Sequence, residues 1–165
     1  MKSLLSIISE KLVITKDTKE KDYNNSIEEL SIKYDFELLS IEFDKSSSQG
    51  KQFNYKEYKV SNDLFKTNIS DKIVELNDQE LKQYANDLNY HFKDILDNKY
   101  TIELINYMNY DQVWGLIAIV DTNKRIMAQV LYNCVKSTIA FKILEGEKEA
   151  EKILSNVIDY IVSKK

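Results

Sequence analysis

Proline is absent from this chain, glycine occurs three times, and cysteine, histidine and tryptophan once each. A single cysteine, Cys134, cannot close an intramolecular disulfide, which excludes a disulfide scaffold and suits a reducing compartment. A single histidine, His91, cannot build a metal site alone, and no cysteine pair or His-x-x-x-His stands beside it. Three glycines leave no Gly-rich loop to cradle a phosphate. Arg125 is the one arginine, so no set of guanidinium groups exists for bidentate reading of phosphate or guanine. No apolar run approaches the roughly 18 residues of a spanning helix. At the start, Leu4, Leu5, Ile7 and Ile8 are followed by Glu10 and Lys11, too soon for a signal-peptide core. These absences predict a soluble cytoplasmic protein with no membrane partner.

What is present is a globular composition: 165 residues, 43% hydrophobic, 11% aromatic, 30% charged, with 11 tyrosines. The length fits one domain spanning 1–165. A net charge of -4 argues against nucleic acid, where clustered cations dominate affinity. The wealth of Lys, Asn, Ile and Tyr is explained by an AT-rich bacterial or phage genome.

Three stretches carry helical periodicity. Residues 3–13 place Leu4, Leu5, Ile7, Ile8 and Leu12 on a short N-terminal helix, peripheral to the rest. The stretch Asn77–Asn98 aligns Leu81, Tyr84, Ala85, Leu88, Phe92, Ile95 and Leu96 on one face for about four turns. Asn77 with Glu80 supplies a start and Asn98 a left-handed stop. This helix is expected to organise the chain. The third, Glu147–Val162, aligns Ala150, Ile153, Leu154, Val157, Ile158 and Ile161. A shorter helix, capped at Asn25 or Ser26, runs to Tyr34 with Ile27 and Leu30 inward.

Between the helices the period falls to two. Phe36–Phe43 and Phe53–Val60 read as a hairpin with a long loop at Lys45–Lys51; adjacent Leu38 and Leu39 suggest a bulge. Thr67–Leu76 reads as a weaker third strand through Ile69, Ile73 and Val74. Tyr100–Met108 alternates, and Val113–Val120 is continuously apolar, an inner strand covered on both sides. Arg125–Cys134 fits strand and helix equally, and the tight turn Asp121–Lys124 favours strand. Thr138–Leu144 is a strand ended by Gly146. The order α-ββ(β)-α-βββ(β)-α predicts an α+β fold, an antiparallel sheet of about five to seven strands carrying amphipathic helices. In topology it looks loosely like acidic secretion chaperones; no motif is shared and no family is assigned.

Chemistry is sparse. Cys134 sits in an apolar pattern, as an inert buried thiol would. Ser46, Ser47 and Ser48 lack a nucleophile-elbow context. Glu145, Glu147, Glu149 and Glu151 read as a solvated helix start, because residues two apart on a helix diverge. Asp44 with Glu57-Tyr58-Lys59 resembles the restriction-endonuclease-like nuclease core, in which carboxylates hold Mg²⁺ and the lysine helps activate water. The aspartate lacks the family's preceding proline, and Glu-x-Lys arises by chance in a chain this charged. Tyr107, Tyr110, Trp114 and Tyr132 form an aromatic-rich region suited to docking a protein. The leading expectation is therefore a small acidic protein-binding domain of the immunity, inhibitor or chaperone type. It would need no cofactor, metal or catalytic residue, and would bind a basic protein partner, with a homodimer as an open variant. The alternatives are a Mg²⁺-dependent nuclease using Asp44, Glu57 and Lys59, and a small-ligand domain with a tyrosine-lined pocket.

Overall fold

The computed structural model describes residues 25–44, 53–144 and 146–163. The expected helix at 3–13, the loop at 45–51 and Glu145 lie outside the described residues. Helix α1 (Asn25–Lys33) leads into the hairpin β1 (Phe36–Asp44) and β2 (Phe53–Val60). A helical segment follows: α2 (Asp63–Ile69), a π-helical turn (Ser70–Val74), α3 (Asp78–His91) and the single turn α4 (Lys93–Leu96). The meander β3 (Tyr100–Met108), β4 (Val113–Asp121), β5 (Ile126–Asn133) and β6 (Thr138–Leu144) then delivers α5 (Lys148–Ser163).

The fold is α+β, with six strands in one antiparallel sheet ordered β1-β2-β6-β5-β4-β3. The last strand of the meander lands beside β2, so β6 joins the hairpin to the rest. Register breaks between Leu38 and Ser40, where the bulge was expected. Both faces of β4 are buried: Ile117 and Ile119 join the main core, and Leu116 and Ala118 are buried on the opposite face. Residues 126–133 are strand.

The expected third strand at 67–76 is corrected to helix. Phe65, Ile69 and Ile73 are buried at helical spacing, and Asn62 starts α2 by accepting the Phe65 N–H at 2.9 Å. The π-helical turn that follows brings Ile73 and Val74 against β4, where Gly115 permits the close approach. A Cβ there would lie 3.0 Å from Ile73 Cγ2 and 3.1 Å from Val74 Cγ2.

The organising role also moves. Asn77 and Glu80 do form a reciprocal capping box at α3. However, the helix breaks at Phe92, Asp97 as well as Asn98 turns left-handed, and Ile95 is exposed. Helix α3 packs along β3 at the sheet edge, and its buried anchors are Leu81 and Leu88. Helix α5 lies across the core, with eight buried residues from Ala150 to Val162. One of them is Glu151, which differs from the solvated start expected. Its position seven residues before Ile158 and eleven before Val162 puts it on the same buried flank.

Helix α1 is tied to α5 by polar contacts. Asp159 accepts from the Lys33 ammonium and, at 2.8 Å, from the Tyr34 hydroxyl. Burial alone would push the Asp159 carboxyl up, but the Lys33, Tyr34 and Ser163 donors outweigh it and hold it below the ordinary range. That contribution is present at neutral pH and fades as pH falls through the depressed value; it is small, because both partners are part-exposed. Leu154→Ala should cost about 2–5 kcal/mol, while Ile32→Ala on the exposed side of α1 should cost within about 0.5 kcal/mol. Urea denaturation of the two variants checks this; equal costs would contradict the assignment of α5 to the core.

Candidate functional site

The β3–β4 hairpin sets the geometry of the aromatic region. Tyr107 and Trp114 are cross-strand partners. Their rings stack at 5.4 Å between centroids and 17° between planes, an arrangement worth about 0.5–1.5 kcal/mol beyond area burial. Asn109 donates to the Tyr107 hydroxyl at 3.0 Å, and its main-chain N–H bonds Gln112 O at 2.8 Å to close the turn. Tyr110 in that turn is 99% exposed and Met108 beside it 62% exposed. Val135, in the adjoining β5–β6 turn, is exposed as well.

Tyr132 does not join this group. It is 4% exposed and packs edge-on against Phe65 at 5.9 Å, on the helix-bearing side. Its parity along β5 is that of Ala128 and Val130, both in the main core, so the sheet separates it from the stacked pair. Burial, with Cys134 beside it, pushes the Tyr132 hydroxyl up to about 12.

The β1–β2 register keeps Asp44 away from Glu57. Asp44 is opposite Phe53, and the partner of Glu57 is Ser40. Four residues of strand, roughly 13 Å, lie between the two positions along the hairpin. Glu57 and Lys59 point away from the core face that carries Lys56, Tyr58 and Val60, all buried. Lys56 is paired there with Glu28 of α1. Among the described residues, no three His, Cys, Asp or Glu side chains are grouped so as to hold a metal.

Two hollows flank α3. One, of about 500 Å³, opens between the π-helical turn and α3 and is lined in part by Asp71, Leu76, Glu80, Tyr84 and Asp87. Burial first, then Tyr160 and the Asp87 charge, push the Tyr84 hydroxyl up to about 12, so at neutral pH it is a hydrogen-bonding group and not a base. The other, of about 430 Å³, runs between α3 and the outer edge of β3. Here the Asn89 amide engages both main-chain groups of Ile102: it donates to Ile102 O and accepts from Ile102 N, each at 2.9 Å. Further along, the Asn106 amide donates to the carbonyls of Ile73 and Leu76, each at 2.7 Å, closing the end of the π-helical turn.

The remaining singled-out groups have structural surroundings. His91 is exposed, its ring 4.2 Å from that of Tyr160 and 4.7 Å from that of Phe92. Cys134 is half-buried with Ser70 Oγ at 3.9 Å. Burial pushes its thiol up and outweighs the Ser70 hydrogen bond, so little thiolate forms. Glu147 and Glu149 gather near the Tyr100 hydroxyl; burial first and then these carboxylates push it up to about 12.

Neither Asn89 nor Asn106 was singled out by sequence reasoning, since nothing local separates such an asparagine from a solvated one. No protein family, curated protein or solved structure was found to match this chain.

Tyr84, Tyr100 and Tyr132 should ionise together near pH 12 in a spectrophotometric titration of the folded protein. Because folding raises these values above 10, their contribution to stability is complete below pH 10 and is lost between about pH 10 and 12. Tyr84→Phe should remove one phenol from the late phase. A single phenolic transition at ordinary pH would contradict the burial of these hydroxyls.

Proposed function

We propose that this chain is a protein-binding domain whose β3–β4 hairpin end docks onto a partner protein. The carrying observation is the pairing of a braced, stacked Tyr107–Trp114 couple with the exposed Tyr110 in the adjoining turn. Large rigid rings with polar tips, held before the partner arrives, lose little entropy on binding and are enriched among interface hot spots. Base stacking would use the same rings, but the net charge of -4 and the single arginine disfavour a phosphate backbone as the partner. Asp111 in the same turn adds a negative charge that suits a basic partner. The nuclease reading gains no support from the hairpin register, and the linings of the two hollows beside α3 hold one tyrosine, Tyr84.

A pull-down from the native host, at physiological salt, with wild type and with the Tyr110→Ser/Trp114→Ala double variant tests this. Wild type should retain a protein partner, and the variant should lose it by about 30-fold or more, the loss of one to two hot spots. The thermal melt of the variant should keep its cooperativity. Equal retention by both, or recovery of nucleic acid alone, would overturn the reading.

A further inference from the structure

The edge strand β3 carries a second feature, independent of the aromatic hairpin end. Ile102 turns its main-chain groups outward, where the Asn89 amide meets both in the way a neighbouring strand would. With a period of two, Leu104, Asn106 and Met108 turn theirs outward too. The alternate residues Glu103, Ile105 and Tyr107 pair inward with β4. No main-chain bond to another described element engages the outward groups of Leu104, Asn106 or Met108. Among the described residues the row therefore begins with one satisfied position, Ile102, and continues with two open ones, Leu104 and Asn106, in the lining of the 430 Å³ groove beside α3.

We propose that this groove takes up an extended segment of a partner protein, which adds to the sheet as a seventh strand by main-chain pairing with Leu104–Asn106. In this mode, main-chain hydrogen bonds supply affinity and alternate side chains supply specificity. The groove fixes the chemistry of that segment. On its helix wall Ala85 and the small uncovered part of Leu81 stand among Lys82, Asn86 and Asn89, so the segment turns a small apolar side chain toward α3. Its charges are mixed, with Asp78, Lys82 and Glu103 all in the lining, so the segment is nearly uncharged and its binding changes little with salt. A second copy of this chain fits the edge less well than a lone segment. Helix α3 flanks the edge in every copy, and pairing β3 with β3 would drive two such helices together. The proposal rests on the protein-binding reading but uses another surface, so the two fail separately.

The test is a displayed library of random peptides of about ten residues, panned on the wild-type chain, with enriched sequences synthesised and measured by fluorescence polarisation. Ala85→Trp fills the groove and should weaken binding by about tenfold or more, while Tyr110→Ser should leave it within about twofold. Methylating alternate peptide nitrogens should abolish binding, and methylating the intervening ones should not, the period-two signature of a strand. If Ala85→Trp loses its cooperative melt, Asn86→Trp, from an exposed position on the same groove, replaces it. The proposal is overturned if no peptide prefers wild type over the filled groove, if the methylation scan shows no alternation, or if the groove mediates a concentration-dependent dimer.

Discussion

Everything in this fold depends on burying the apolar face of α5 against a single continuous sheet. Its buried side chains from Ala150 to Val162 meet the helix-side residues of β4, β5 and β6 in one core cluster, which also takes in α1, α2 and the π-helical turn. Area removed from water at about 25 cal/mol per Å² makes this contact larger than any ion pair on the surface. The sheet is continuous because β6 pairs on both sides, with β2 and with β5. Helix α5 lies on β4 and β5 and packs against α1 and α2, and α1 carries the contact on to β1.

A second constraint follows from that continuity. An antiparallel sheet of six strands has two edges, and each presents a row of main-chain donors and acceptors. The β3 edge is managed by α3, which lies beside it and spends one asparagine amide on Ile102. The cover is partial. Asn106 is committed to the carbonyls of the preceding π-helical turn, leaving the outward main chain of β3 facing a groove. The same strand runs on into the turn that holds Tyr110. One edge strand thereby carries a stacked aromatic pair at its hairpin end and open main-chain groups along the groove.

The sequence carried the local parts of this plan plainly. The capping box of Asn77 and Glu80, the stripe of α5 and the continuous apolar run of β4 are each written in adjacent residues. Residues 126–133 were ambiguous for a physical reason: an inner strand buried on both faces loses alternation, and apolar residues then also satisfy the helical period. Residues 67–76 misled because Ile73 and Val74 are β-branched. The helical match of Ile69 and Ile73 with Phe65 held the signal that tertiary packing obeyed. The placement of β6 beside β2, and the distance between Asp44 and Glu57, are long-range matters of register that no local pattern encodes. Tyr132 was the legible miss, since its parity with Ala128 and Val130 already placed it among core positions.

Native-state amide hydrogen exchange tests the central claim most directly. If α5 and the inner strands form one cooperative unit, the amides of Leu154, Val157, Ile117 and Val130 should share a single slowest opening free energy equal to that of global unfolding. Release of α5 amides well before those of β4 and β5 would show that the helix is an appendage and that the sheet stands without it, contradicting the account.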